Sequence, residues 1–464
     1  MTINITNKKI FTLIGETADY LDIDCYVVGG YVRNYFLKKD TKDIDIVCNK
    51  KGIELAKLIA KKLNCKIVIY KNFGTALVKN DKYDIEFISA RTESYNKNSR
   101  KPHVKLGTME DDQKRRDFTI NAMFIGLNKK NKYKLVDPFN GLSDLKNGII
   151  KTPLKPDKTY SDDPLRMIRA IRFATQLNFK IDEDSLQSIK RNHERLKIIS
   201  NERIIEEFNK IILSDKPSIG INLLFETNLL SIFFPELVKL QGKETINNHT
   251  HKDNFYHTLQ VLDNISQKSN NIWLRWAALL HDIAKPQTKK YDKKSGWSFH
   301  GHEYLGSKFV PKIFRRLKLP LNSNMKYVQK LVLLHLRPIG LAKENITDSG
   351  YRRLIVDAGE EIDDLFTLCV SDITSKNQEK VKKYLNNLKK VRKRIEIVEE
   401  KDQLRNFQPP ISGEYIMKYF NLKPSKLVGE IKKEIREAIL NGDIKNNLEE
   451  AKNYMISIGK KLKI

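Results

Sequence analysis

The sequence predicts an α+β head followed by an all-helical remainder. Three observations carry that expectation. Short β-branched runs alternate with an amphipathic helical stretch through the first 150 residues. From about Asp162 glycine becomes rare and long helical periodicities take over. Breaks at "LSDKPSIG", "QGKETINNHTHKDN" and "RNFQPPISGEY" then divide the helical part, the last because Pro409-Pro410 has no place inside a helix.

In chain order, "CYVVGG" reads as a strand that ends in a turn and "YVRNYFLK" as the start of a helix. "DIDIV", "KIVIY" and "YDIEFISA" read as strands by alternation. "GIELAKLIAKKLN" reads as an amphipathic helix. "DDPLRMIRAIRFATQL" opens the helical part. Pro164 suits the first turn, and Met167, Ile168, Ile171, Ala174 and Thr175 share one face. The expected organisation is a head over 1–150, a neck over 151–215, a helical body over 216–395 and a helical tail over 396–464.

At 464 residues the chain is long for one domain. Lys plus Arg is 85 against 57 for Asp plus Glu, a net charge of +28 that favours a polyanionic partner such as nucleic acid. Lys-rich runs such as "QEKVKKYLNNLKKVRKR" read most simply as solvated helix faces. The four cysteines are scattered with no C-x-x-C, which points to a reducing compartment and away from a disulfide framework or a zinc knuckle. No apolar run approaches the roughly 18 residues of a membrane span, and no leader is evident, so a cytoplasmic protein is expected.

The chemistry starts at "VVGGYVRNYFLKKDTKDIDIV". Residues i and i+2 of a strand face the same way, so Asp43 and Asp45 project together while Ile44 and Ile46 face the core. Like charges so close need compensation. Gly29-Gly30 allows close backbone approach, a helix start behind it offers free N–H groups to phosphate, and Arg33 lies one turn further on. Two carboxylates holding two divalent cations roughly 4 Å apart fit nucleotidyl transfer. Magnesium suits such oxygen ligands. "YDIEF" offers Asp84 and Glu86 as a third carboxylate, with Glu86 preferred.

These residues resemble the first motif of the class II tRNA nucleotidyltransferase and bacterial poly(A) polymerase family. The family's arginine is usually followed by aspartate, where this chain has Asn34. "RKPHVKLGTMEDDQKRRDFTINAM", "LVDPFNGLSDLKNGII", "SDDPLRMIRAIRFA" and "ISNERIIEEF" resemble later motifs in the family's order, across roughly the first 210 residues. "LVDPFNGLSDLKNGII" is read as the strand and turn that link head to neck. The resemblance implies catalysis by Asp43, Asp45 and Glu86 with Mg2+, and nucleotide contacts from Gly29, Gly30, Arg33, Arg116, Asp117 and Asn121. On the residues alone, Asp117 or Thr119 as a helix cap with the arginines facing water is the favoured reading.

The resemblance also makes "SDDPLRMIRAIRFA" the helix that reads the nucleobase. Asp163 and Arg166 are three apart. A carboxylate accepts from the exocyclic amine of C or A, and a guanidinium donates to the adjacent ring acceptor. G and U present a carbonyl instead of the amine and are rejected. Asp163 also reads as a plain helix cap. Asp162 stands where the family usually has glutamate, and Arg169 and Arg172 continue the spacing. The implied activity is template-independent addition of CCA to tRNA from CTP and ATP. Poly(A) polymerase is the nearest competitor, although the "GRRF"-like stretch typical of those enzymes is missing before "RRDF". Enzymes that add only CC or only A share the head.

Most of the nine histidines lie between His249 and His335. His257, His281-Asp282, His302, His335 and Asp372 follow an order that resembles an HD-type metal-dependent phosphohydrolase. His257, His281, Asp282 and Asp372 are the core ligands, His302 and His335 candidates for a second metal, and His300 an alternative to His302. Such ligands suit Mn, Fe, Ni or Mg. Expected substrates are 2′,3′-cyclic phosphates or 2′-nucleotides. A phosphohydrolase with an RNA-binding head and a non-catalytic RNA-binding scaffold complete the alternatives.

Overall fold

The structure is a computed structural model that describes all residues except 1, 2, 4, 6, 7, 71–73, 95–102, 247, 248, 343–345, 376, 403–409 and 463. Part of "RKPHVKL" and Pro409 therefore lie outside the described residues. The chain divides into two compact units, Met1–Pro235 and Glu236–Ile464.

The first unit opens with α1 (Lys8–Tyr20), β1 (Cys25–Val28), α2 (Gly30–Phe36), β2 (Asp43–Cys48), α3 (Gly52–Leu63), β3 (Lys66–Tyr70), β4 (Thr75–Lys79) and β5 (Asp84–Ser89). The hairpin β6–β7 (Arg91–Ser94, His103–Leu106) leads to α4 (Met109–Lys114), β8 (Phe124–Gly126) and β9 (Leu135–Val136). Seven strands form one sheet in the order β3-β4-β5-β2-β1-β8-β9. β2 lies at its centre, antiparallel to β1 and parallel to β5. Ile44, Ile46 and Val47 are fully buried, which fixes the register and so the face that Asp43 and Asp45 occupy.

α3 packs on β4 and β5 through Leu55, Ala56, Ile59 and Ala60, one apolar stripe, and stops at Asn64 in a left-handed conformation. α4 begins with a capping box in which Thr108 Oγ1 accepts from the Asp111 N–H and Asp111 accepts from the Thr108 N–H. "LVDPFNGLSDLKNGII" holds more than the expected strand and turn, because Asp137 accepts from the N–H groups of Gly141 and Leu142 and starts helix α5 (Gly141–Asn147).

The helical neck follows, with α6 (Pro156–Asp162), α7 (Leu165–Leu177), α8 (Glu183–Asn192) and α9 (Asn201–Ile212). Met167, Ile168, Ile171, Ala174 and Thr175 of α7 are all buried, as the spacing predicts. The helical part is not free of strands. Ile149–Ile150 pairs with Lys180–Ile181, and two small ladders occur later, Thr245–Ile246 with His249–Thr250 and Lys290–Asp292 with Gly296–Ser298. Two- and three-residue ladders are too short to leave a period in the sequence.

The second unit builds its centre from the helices Asn254–Ser266, Ile272–Leu280, His302–Leu317, Ser323–Leu334 and Ile362–Asp372. Asp253 and Asn271 cap the first two, their side chains accepting from N–H groups of the opening turns. At its C-terminal end the helices Gly413–Phe420, Lys426–Asn441 and Leu448–Leu462 enclose a small separate core of Ile416, Ile431, Ile435, Ile439, Met455 and their neighbours.

Candidate active sites

In the first unit the parallel β2–β5 register sets Asp45 beside Glu86 and Asp43 beside Asp84. Asp45 is half-buried. Burial raises its pKa, Asp43's charge adds to the rise, and Arg116 opposes it. Burial and then the charge of Asp45 likewise raise Glu86. Asp84 pairs with Lys79 at 3.5 Å, whereas Glu86 is the acid that stands directly beside Asp45.

Gly29 meets this cluster at φ +69°, a left-handed conformation suited to glycine. A Cβ there would sit 3.3 Å from Asp45 Oδ2 and 3.1 Å from Arg116 Nη1. The glycine therefore leaves room against the carboxylates. That room, with Asp45 and Glu86 both resisting ionisation unaided and Asp43 on the same face, fits a hard divalent cation. Gly30 opens α2 with the Arg33 guanidinium 3.7 Å from where its Cβ would be.

One continuous network backs the cluster. Arg33 donates to Asn121 Oδ1 at 2.8 Å, and Asn121 Nδ2 donates to Asp117 Oδ1 at 3.0 Å. Asp117 Oδ2 accepts from Arg169 Nε at 2.9 Å and from its Nη2 at 2.5 Å. Burial opposes ionisation of Asp117, but Arg169 and the Asn121 hydrogen bond hold its carboxyl well below the usual range. Burial draws the Arg33 guanidinium down to about 10. The departure at Asn34 costs Arg33 no partner: Asn34 Oδ1 accepts from its Nε at 3.1 Å and Nη2 at 2.9 Å.

Asp163 lies before α7 and accepts from the Leu165 N–H at 3.1 Å, so the capping role is realised. Its other oxygen is 3.8 Å from Arg203. Arg166 donates to the Arg115 carbonyl at 2.6 Å. The Arg166 N–H donates to the Asp163 carbonyl, so the two residues share one turn while their side chains hold separate partners. Arg172 pairs with buried Glu207 at 2.9 Å and lies over Phe173.

In the first unit, sequence reasoning missed two buried acids. Asp112, fully buried, binds Arg115 and also Arg116 at 3.0 Å. It sits in the acidic run "MEDDQK", for which sequence analysis named no role. Glu207 is the other, and only its position opposite Arg172 on the neighbouring helix reveals it.

In the second unit Asp282 stands between two groups of histidines. Its Oδ2 lies 3.5 Å from His257 Nε2 and 3.3 Å from His281 Nε2, and Asp372 Oδ1 is 2.9 and 3.4 Å from the same two nitrogens. Its Oδ1 lies 3.2 Å from His302 Nε2 and 4.0 Å from His335 Nε2. His257, His281 and Asp372 thus form one candidate metal group, and Asp282, His302 and His335 another. His302 is buried and lies in the second group, whereas His300 is exposed.

The Nδ1 atoms of His281, His302 and His335 each lie 2.7 Å from a backbone carbonyl, and His257 Nδ1 lies 2.8 Å from Thr374 Oγ1. Held so, all four rings aim Nε2 into the site, the arrangement that orients metal-binding imidazoles. Burial disfavours the His281 cation, yet Asp282 and Asp372 overcome it and lift its pKa to about 10. Burial and His281 push His335 down to about 4. His281 Nε2, fully buried, makes no aligned hydrogen bond. A divalent cation would answer both that nitrogen and the two carboxylates, so the residues fit one. Lys285, which the sequence reading passed over, lies 2.6 Å from Asp282 Oδ2.

Comparison with known proteins finds matching domains in both units. Residues 25–151 match the poly A polymerase head domain, 178–240 the probable RNA and SrmB-binding site of polymerase A, and 254–373 the HD domain. The A-adding tRNA nucleotidyltransferase of Deinococcus radiodurans is 30% identical over 349 residues, which cover 72% of this chain and 76% of that protein. The chain belongs to the class II tRNA nucleotidyltransferase family and carries an HD domain.

The CCA-adding enzyme of Lactobacillus helveticus is 38% identical over 216 residues, 46% of this nucleotidyltransferase chain and 52% of that protein. The chain thus spans about half the length of that relative. Among solved structures, the Bacillus stearothermophilus CCA-adding enzyme in complex with CTP superposes with a TM-score of 0.67 at 20% identity, over 99% of each chain, and so shares the fold. Both domain types imply divalent metals. Among the described residues no helix is long and apolar enough to cross a membrane.

Proposed function

We infer that this nucleotidyltransferase adds CCA to the 3′ end of tRNA from CTP and ATP. The placement of Asp45 beside Glu86 against Gly29 is the observation that carries the reading. Asp43 and Asp45 hold Mg2+ there, and Glu86 completes the oxygen set. Bound Mg2+ supplies charge for the triphosphate and acidity for the attacking hydroxyl. The chain's own residues do the rest. Arg33 and Arg116 face phosphate across the glycine turn. Asp117 and Asn121, locked by Arg169, hold the nucleotide's ribose side. Asp163 and Arg166 read the base, Asp163 accepting from the amine of C or A and Arg166 donating to the neighbouring ring nitrogen. A base without that amine leaves the carboxylate unpaired, which costs several kcal/mol.

The CCA-adding relative and the net charge of +28 support tRNA as the polyanion, and that work belongs to the cytoplasm. The division into a head (1–150), neck (151–215), body (216–395) and tail (396–464) is part of the same proposal. Extension of a tRNA transcript lacking its 3′ CCA, with CTP and ATP, tests it.

The HD domain adds a second activity in this reading. Asp282, set between two histidine groups, supports a centre of one or two divalent cations, Mn, Fe, Ni or Mg. It hydrolyses phosphoesters such as 2′,3′-cyclic phosphates or 2′-nucleotides. A His281→Ala, Asp282→Ala variant that keeps CCA addition and loses hydrolysis supports it; unchanged hydrolysis refutes it.

A further inference from the structure

Asp112 of α4 is fully buried, and both its oxygens are taken by arginines. Oδ1 accepts from Arg115 Nε at 2.9 Å and also from its Nη2. Oδ2 accepts from Arg116 Nε at 3.2 Å and from its Nη2 at 3.0 Å. The i, i+3 and i+4 spacing gathers the acid and the two arginines at the end of α4. Full burial of a carboxylate is tolerated when cations compensate it. One edge of the Arg116 guanidinium is thus fixed on Asp112, and its plane lies over Phe124 at 5.0 Å. The remaining nitrogen, Nη1, donates to the Asn121 carbonyl at 3.4 Å. A Cβ on Gly29 would lie 3.1 Å from that Nη1 and 3.3 Å from Asp45 Oδ2, so guanidinium and carboxylate face each other across the glycine. Asp45 feels the charge of Arg116. Among the described residues, however, Arg116 forms its ion pair with Asp112 and none with Asp45.

We propose that Asp112 is a positioning residue of the nucleotidyltransferase site, holding Arg116 off Asp45 so that this carboxylate stays open to its cation. The inference rests on the reading of Asp43 and Asp45 as Mg2+ ligands. Arg116 and a divalent cation are alternative partners for Asp45, because both are positive and Nη1 already borders the room that Gly29 leaves. Opposite charges so near each other attract strongly in a partly buried site. Asp112 offsets that attraction with a direct ion pair and two hydrogen bonds to the far edge of the same guanidinium. Without the Asp112 charge, the guanidinium closes on Asp45 and competes with the cation. A carboxylate that merely secured the end of α4 would have no such effect on metal binding.

Calorimetry of CTP binding to the full chain tests this without turnover. Run at a series of Mg2+ concentrations and without tRNA, it gives the Mg2+ midpoint at which CTP binding tightens. Because CTP is followed and not the metal, cations at the HD centre do not enter the readout. Asp112→Asn is expected to raise that midpoint about 10-fold. The Mg2+ dependence of addition to tRNA should shift alike, with the rate recovering at saturating Mg2+. Damage to the fold alone lowers the rate and the Tm and leaves the midpoint in place. In an Arg116→Gln background, Asp112→Asn should not move the midpoint of that background, because the competitor is gone. Asp112→Asn with Arg115→Gln keeps the net charge of the cluster and should show the full shift, so it replaces the single variant if that one melts below the assay temperature. An unmoved midpoint, or a shift that persists without Arg116, would overturn the proposal and leave Asp43 and Asp45 as Mg2+ ligands. A wild type whose CTP binding and tRNA extension both ignore Mg2+ would overturn the ligand reading as well.

Discussion

Arg169 of α7 donates both Nε and Nη2 to Oδ2 of Asp117, which is itself nearly enclosed. The pair ties α7 to the segment that reaches Arg33 through Asn121. Cutting it leaves a buried carboxylate short of its main cation. Arg169→Ala is expected to destabilise the protein by about 2–3 kcal/mol in denaturant unfolding. A double-mutant cycle with Asp117→Asn should return a coupling of about 1–3 kcal/mol. Additivity of the two single changes would remove this link from the account.

Asp45 illustrates a cost of function. Its folded pKa is raised by burial and by Asp43. A carboxyl whose pKa rises on folding destabilises the fold once pH exceeds that raised value, and the penalty disappears as pH falls below the unfolded pKa. Asp45→Asn removes the penalty, so in EDTA at neutral pH the variant should melt higher than wild type. Added Mg2+ should stabilise the wild type, by about 2.7 kcal/mol at a hundredfold excess over its Kd, and not the variant. A lower Tm for the metal-free variant would contradict the electrostatic description of this cluster.

The observed capping by Asp163 and its proposed reading of the base separate experimentally. Losing the hydrogen bond from the Leu165 N–H in Asp163→Ala costs about 1 kcal/mol of stability. Losing the acceptor for the base amine should cut discrimination against UTP and GTP by at least 10-fold. Asp163→Asn keeps an acceptor for the N–H and should recover most of the stability but not the selectivity. Selectivity unchanged in both variants would leave Asp163 as a cap alone.

At the HD centre, metal analysis resolves the two groups. His302→Ala should lose at most one bound cation per chain, whereas Asp282→Asn, which weakens both groups, should lose all tightly bound metal. Neither change should alter extension of tRNA. Full metal content in Asp282→Asn would show that this carboxylate is not the shared ligand.

Much of this was legible in the sequence because the signals are local. Period-two alternation set Asp43 and Asp45 on one face, and the i, i+3, i+4 spacing of α7 named its buried residues. The histidine and aspartate order named the residues that meet around Asp282. What escaped was long-range or masked by context. Asp112 sits in an acidic run, and Glu207 gains its partner from another helix. The hairpin Lys290–Ser298, which brings Trp297 against His251, has strands of only three residues. The α5 helix within "LVDPFNGLSDLKNGII" depends on Asp137 accepting N–H groups four and five residues on, a contact that alternation does not encode.

The most direct test is extension of a tRNA transcript lacking its 3′ CCA, with Mg2+, by wild type and by Asp43→Ala and Asp45→Ala variants, with products sequenced. The account predicts C, C, then A and a stop from CTP plus ATP, and no addition by either variant. A long A tail from ATP alone, a stop after CC, A added only to an end already carrying CC, or equal activity in the variants would contradict it.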